Sequence, residues 1–273
     1  ATSIRDHFAG QVVAVSSPQG RFTESAALVD GTTLVDAESW GKHLFIDFDD
    51  DRIIHVHLGL IGKFDVRVGA APVPVGQVRL RLVSTGSPSG GPAYADLRGA
   101  TGCDLFTGVK RQAVIARLGP DPLRADADPE TVWRRVSRSH RSIGELLMDQ
   151  TVLAGVGNVY RAEILFRHRI HPLRPGNTLR RKQFEAMWDD LVELMHYGVE
   201  TGRIDTVRPE HSPEAMRREP RRDDHGGEVY VYRRQGQACH VCGSSVSTEV
   251  LAGRNLFWCP RCQPRFRSRA RSS

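Results

Sequence analysis

Cys239, Cys242, Cys259 and Cys262 form two C-x2-C pairs separated by sixteen residues. Each pair is a short loop that can aim two thiolates at one point, and two such loops supply four sulfurs. That is the ligand set of a closed, tetrahedral zinc site with no open position for a substrate. Pro260 inside the second pair and Gly243 after the first suit tight turns that direct backbone amides towards sulfur. The residues between the pairs read as a β-hairpin, Val246 to Leu251 and Leu256 to Cys259, with Ala252-Gly253-Arg254-Asn255 at the tip. Two disulfides are the alternative. The paired metal-site spacing favours zinc, and nothing else in the sequence suggests secretion.

The 273 residues suffice for two domains, or one large domain and a small module. No run of eighteen apolar residues is present, so no membrane-spanning helix is expected. The fifth cysteine, Cys103, has no sequence partner, as expected in a reducing cytoplasm. Charge is unevenly placed. From position 217 onwards there are twelve arginines, no lysine and five acids, a local excess of seven that exceeds the +6 of the whole chain. Arginine-only basic regions favour phosphate, which the planar guanidinium grips through two parallel hydrogen bonds. This points to nucleic acid. The stretch that carries Arg265, Arg267, Arg269 and Arg271 is read as short of apolar anchors and instead as part of a disordered, solubilising tail.

The expected fold is multi-domain α+β. Residues 1–115 read as an N-terminal β-sandwich that opens with a short helical segment, Ala1 to Phe8. Its strands are Gln11 to Val15, Ala27 to Leu34, His43 to Phe48, Ile53 to Leu58, Lys63 to Val68, Gln77 to Val83 and Ala93 to Leu97. Residues 116–228 read as helical. Asp128-Pro129 starts one helix, as cap and first residue. Further helices run over Arg141 to Gln150, from Asn158 to Arg167 and from Arg181 to Tyr197. A polar loop follows from Arg203 to Glu228. Residues 229–265 form the four-cysteine module and 266–273 the basic tail. Gly155-Val156-Gly157-Asn158 joins two helices in very few residues. Glycines allow close backbone approach, and the N–H groups opening the next helix form a ready phosphate site.

The run from Asp149 to Glu163, DQTVLAGVGNVYRAE, resembles the helix–two-turn–helix signature of the formamidopyrimidine-DNA glycosylase and endonuclease VIII family. The C-terminal C-x2-C, Gly253-Arg254-Asn255, C-x2-C resembles that family's zinc finger. Gly41-Lys42-His43-Leu44 and His57-Leu58-Gly59-Leu60-Ile61-Gly62 resemble two motifs of its N-terminal sandwich. Val207 to His211 and Tyr230 to Arg234 look most like the family's actinobacterial endonuclease VIII-like members. The resemblance implies a DNA glycosylase with AP lyase activity. It implies a partner in double-stranded DNA bearing oxidised bases or abasic sites, one structural zinc ion, a monomer and a cytoplasmic, nucleoid-associated location. In that family an N-terminal proline attacks C1′ of the sugar and forms a Schiff base. β- and δ-elimination then release the two phosphates, with a neighbouring glutamate as acid and base. This sequence begins Ala1-Thr2-Ser3. About ten further residues, one helix at roughly 1.5 Å per residue, are expected in front of it. If Ala1 were the true start, a non-catalytic protein binding damaged DNA would be the alternative.

By the same resemblance, Lys42 contacts the phosphate beside the lesion and donates a proton in β-elimination. Arg254 grips the lesion phosphates and assists δ-elimination. Asn158, Gly157 and Arg141 belong to the DNA-binding region around the two-turn motif. Arg98, in Asp96-Leu97-Arg98-Gly99, matches the arginine that faces the orphan base, although the segment departs from the family's usual Arg-Arg-Phe-Gly. Leu60 and Ile61 fall where the family places the wedge that fills the gap left by an extruded base. Strand core is their alternative, and Gly59 and Gly62 argue for a loop. His43, His55 and His57 lie close together. Packing and hydrogen bonding are preferred over metal binding for them, since no carboxylate or cysteine joins the set. Glu163 is expected to be structural. The Arg203–Glu228 loop lacks the pattern associated with 8-oxoguanine enzymes, which makes oxidised pyrimidines the expected lesions.

Overall fold

The computed structural model describes residues 1–84, 86, 91–222 and 227–267. The chain folds as two compact units, Ala1–Arg117 and Leu118–Ser273.

In the first unit, α1 (Thr2–Phe8) turns Ile4 and Phe8 into the core. β1 (Gln11–Ser16) follows, then the short α2 (Thr23–Ala27), β2 (Thr32–Trp40), β3 (His43–Phe48), β4 (Arg52–His57), β5 (Lys63–Val68), β6 (Val78–Ser84), β7 (Ala93–Arg98) and β8 (Gly102–Phe106). The strand order is β5-β7-β6-β1-β2-β3-β4-β8. β1 belongs to both halves of this sheet. Gln11–Val13 pair with β2, whereas Ala14–Ser16 pair with β6. The two halves enclose one apolar cluster, with Val13, Leu34, Ile46 and Ile54 from one side and Leu80, Leu82, Ala95 and Leu97 from the other. Alternation along each strand supplies these inward residues, as in a sandwich. α3 (Gly108–Ile115) closes the unit.

Two sequence expectations are corrected here. Ala27 to Leu34 is not one strand: α2 ends at Ala27, and Gly31 at φ +71° turns the chain into β2. β8 and α3 were not foreseen.

The second unit is helical: α4 (Pro129–Ser137), α5 (Ile143–Leu146), α6 (Asn158–Arg167), α7 (Arg181–Thr201) and the short α8 (Pro213–Met216). Asp128 caps α4 by accepting from Glu130 and Thr131 N–H, with Pro129 in the first turn. The helix expected over Arg141 to Gln150 is only four residues long. Ser142 and Glu145 form a capping box at its start, and the Asp149 carboxylate then accepts from Thr151 N–H at 3.1 Å and diverts the chain into a turn. The second unit closes with the hairpin β9 (Ser247–Leu251) and β10 (Arg254–Trp258).

Two buried polar groups fix the segments that flank this hairpin to the helices. The Glu163 carboxylate on α6 accepts from Tyr230, Val231 and Tyr232 N–H at 2.6, 2.9 and 2.9 Å, and from Thr206 Oγ1 at 2.7 Å. It is wholly inaccessible to solvent, the structural role expected for it. Gln263 accepts from Cys259 N–H and donates to the Ile170 carbonyl, both within 2.9 Å. Of the tail, Phe266 lies beneath the Arg174 guanidinium at 4.5 Å, a cation–π contact that holds the chain one residue further than composition suggests. Arg269 and Arg271 lie outside the described residues.

Candidate nucleic-acid interface and metal centre

The four cysteine sulfurs lie within 4.8 Å of one another. Cys239 and Cys262 are 3.9 Å apart and Cys242 and Cys259 3.4 Å. A tetrahedron with Zn–S bonds of about 2.3 Å needs S···S separations near 3.8 Å, so the set fits one zinc ion and no larger group. Burial and the neighbouring sulfurs raise the Cys239 and Cys262 thiols. Burial opposes ionisation of Cys242 too, yet hydrogen bonds from Ser244 and contacts with Cys259 and Cys262 draw it down to about 6. A dication resolves this conflict by binding all four as thiolates. The site is structural, since four protein ligands leave no position for substrate.

The hairpin between the cysteine pairs is tighter than expected. Ala252 and Gly253 alone form the tip, both at positive φ (48° and 73°), as a two-residue turn between twisted strands requires. Arg254 is therefore not in the loop but is the first residue of β10, paired with Leu251. Its register is set by the strand ladder.

Arg254 shares a pocket of about 200 Å³ with Arg141, Glu145, Asp149 and Arg161. Asn158, the first residue of α6, donates through Nδ2 to the Asn255 carbonyl at 3.1 Å. Arg161, one turn on, donates to that same carbonyl at 2.8 Å and to Asn158 Oδ1 at 2.5 Å. Arg161 is almost fully buried, and burial followed by the charge of Arg254 lowers its guanidinium to about 10. The two-turn motif and the finger thus meet at one cationic point. Arg141 is held by Asp149 at 2.7 Å. Arg161 escaped the sequence reading, although its i,i+3 spacing from Asn158 on one helix face was the available signal.

The turn glycines divide their work differently from the expectation. Gly155 has the positive φ (+84°), and a Cβ there would sit 3.2 Å from Met195 Cε. Gly157 has an ordinary φ of −110° and is the N-cap of α6, where it leaves the first-turn N–H groups without a side-chain cap.

In the first unit, Gly41 and Lys42 are the two turn residues between β2 and β3, since Trp40 pairs directly with His43. Lys42 is half-buried. Leu60 and Ile61 are 96% and 81% exposed, on a loop and not in strand core. The loop is pressed against its surroundings: a Cβ on Gly59 would fall 1.9 Å from Thr101 Oγ1, and one on Gly62 2.3 Å from the Leu58 carbonyl oxygen. Gly99 backs Ile61, so Arg98 stands beside the loop that carries Leu60 and Ile61. Arg98 is tied at 2.8 Å to Asp96, which also receives two hydrogen bonds from buried Arg81 at 2.6 and 2.8 Å.

The three histidines form a stack. His43 Nδ1 and His55 Nε2 are 2.8 Å apart, and His55 packs on Phe106 with ring centroids 4.4 Å apart. Among the described residues, only the four cysteines form a cluster able to hold a metal.

Family profiles match three successive parts of the chain: the formamidopyrimidine-DNA glycosylase N-terminal domain over residues 1–103, its H2TH domain over 118–209, and the zinc finger found in FPG and IleRS over 236–265. The chain is 50% identical over 263 residues to Endonuclease 8 1 of Mycobacterium tuberculosis, covering 94% of this chain and 93% of that protein. It is 32% identical to the formamidopyrimidine-DNA glycosylase of Methylococcus capsulatus, covering 85% and 83%. The fold is that of Lactococcus lactis Fpg, solved in a complex with DNA containing an abasic site, with a TM-score of 0.73 at 23% identity over 97% of this chain and 96% of that one. The chain belongs to the formamidopyrimidine-DNA glycosylase and endonuclease VIII family, the bifunctional DNA glycosylases/AP lyases of base excision repair.

Proposed function

We propose that this protein removes oxidised pyrimidines from double-stranded DNA and cleaves the resulting abasic site through a Schiff base, by β- and δ-elimination. The observation that carries the proposal is the meeting of Arg254, Arg161 and Arg141 around one small pocket, where three guanidiniums face the carboxylates of Glu145 and Asp149 and Asn158 is bonded to Arg161. Such a pocket suits the phosphates flanking an extruded nucleotide, because guanidinium forks and helix-start N–H groups both favour phosphate oxygens. In this reading Arg254 stabilises the departing phosphate. Lys42, on its two-residue turn, donates the proton that β-elimination requires. Leu60 and Ile61 enter the gap left in the base stack, and their exposure supports that role. Arg98, steadied by Asp96, reads the orphan base. Gly157 and Arg141 complete the backbone contacts. The nucleophile is assigned to a proline and its acid/base partner to a glutamate, as the family resemblance implies. We assign residues 1–115, 116–228 and 229–265 to the sandwich, the helical DNA-binding domain and the finger, and a monomer acting in the cytoplasm at the nucleoid.

The lesion class is tested with duplexes carrying either one oxidised pyrimidine or one 8-oxoguanine, incubated with protein expressed from its complete reading frame. Faster release of the pyrimidine supports the reading. Preference for 8-oxoguanine would overturn it.

A further inference from the structure

We propose that His43 and His55 form an uncharged imidazole pair that positions Lys42 for strand cleavage. This rests on the role given to Lys42 above and adds two residues to it. Lys42 sits on a two-residue turn, where the stem that follows sets the direction of the side chain. His43 is the first residue of that stem. Its Nδ1 lies 2.8 Å from His55 Nε2, and its ring packs at 5.1 Å from His55 and 5.2 Å from His57. His55 is itself held between Phe45 and Phe106. The first rung of the β2–β3 hairpin is thereby fastened to β4 through side chains as well as through the ladder.

The proton can be placed. His55 Nδ1 is buried with no hydrogen-bond partner among the described residues. A buried N–H without an acceptor costs more than a bare lone pair, so His55 carries its proton on Nε2 and donates to His43 Nδ1. His43 then carries its own proton on Nε2. This arrangement needs both rings neutral. Burial, then repulsion from His55 and His57, lowers His43 to about 4, and burial also lowers His55 against the opposing pull of Asp104 on β8. On α3, Lys110 and Arg111 face the Phe106 and Phe45 rings of the same stack and add to the positive surroundings. A neutral pair braces the stem of the turn without adding charge to it.

The test compares His43→Leu, His43→Asn and Lys42→Ala in protein from the complete reading frame. Asn retains an acceptor near the Nδ1 position, whereas Leu does not. His43→Leu should slow nicking of a preformed abasic-site duplex on the order of tenfold, with little change in duplex Kd, as expected for a misplaced catalytic group. His43→Asn should recover most of that loss. The sequence holds few lysines, Lys42, Lys63, Lys110 and Lys182, and the signal missing from Lys42→Ala identifies Lys42 in 13C-dimethyl-lysine spectra. His43→Leu should shift or broaden the Lys42 signal and leave the other lysine signals in place. An unmoved Lys42 signal, or equal slowing by Leu and Asn, would overturn the pair. Unimpaired nicking by Lys42→Ala would instead remove the role of Lys42 itself.

Discussion

Single residues here are decided by what their polar atoms meet. Glu163 reads as an acid inside an apolar helix, yet its two oxygens take up three backbone N–H groups and a hydroxyl. Glu163→Ala would strand those donors in the interior, so a loss of roughly 3–5 kcal/mol in urea unfolding is expected. A loss below about 1 kcal/mol would show that water replaces the carboxylate. Asp190 is a second case. Burial opposes its ionisation, but hydrogen bonds from His168 and Arg167 hold it at about 2. Its contribution is therefore present above the ordinary carboxylate range and is lost as pH falls through about 2. Asp190→Asn should flatten the acid limb of the stability profile between about pH 4 and pH 2. An unchanged limb would contradict the assignment. Arg254 is exposed and contributes nothing to the core. Arg254→Ala should leave Tm within about 2 °C of the parent while weakening DNA binding roughly tenfold. A mutant whose finger unfolds would count against a purely ligand-facing role.

Elements were legible where pattern and punctuation agreed. Asp128-Pro129 announced α4, and the apolar run within residues 43–48 and the alternation of 63–68 announced β3 and β5. Reading failed where a side chain intervened. Asp149 stops α5 through its own hydrogen bonds, although Leu146 and Leu147 continue the apolar stripe. β8 begins with Gly102 and places Asp104 among its few residues, which hides it from any search by alternation. The cysteine module was legible because ligand spacing is a local property. The Arg161 contact with Asn255 was not, because it joins positions 94 apart. At this scale the finger is predicted to depend on its metal. Cys259→Ser, or chelation, should remove zinc and abolish DNA binding together, since the metal site fixes the base of the hairpin that carries Arg254. Retained binding in the zinc-free protein would show the finger to be dispensable.

For the whole molecule, the basic excess from position 217 onwards matters more than the net charge of +6. A protein that neutralises several phosphates should lose affinity steeply with salt, and each phosphate-contacting arginine removed should lower the slope of log K against log salt by about 0.9. The family membership follows from three matched domains in order. The resemblance carried the proposed chemistry, because the proline and glutamate assigned to the covalent step rest on family likeness and not on any periodicity or spacing in these residues. That step is also the most direct point of attack. Protein from the complete reading frame, mixed with an abasic-site duplex and borohydride, should give a covalent protein–DNA adduct that withstands denaturation. Tight abasic-site binding with no adduct would contradict Schiff-base catalysis and leave a protein that recognises damage without cutting it.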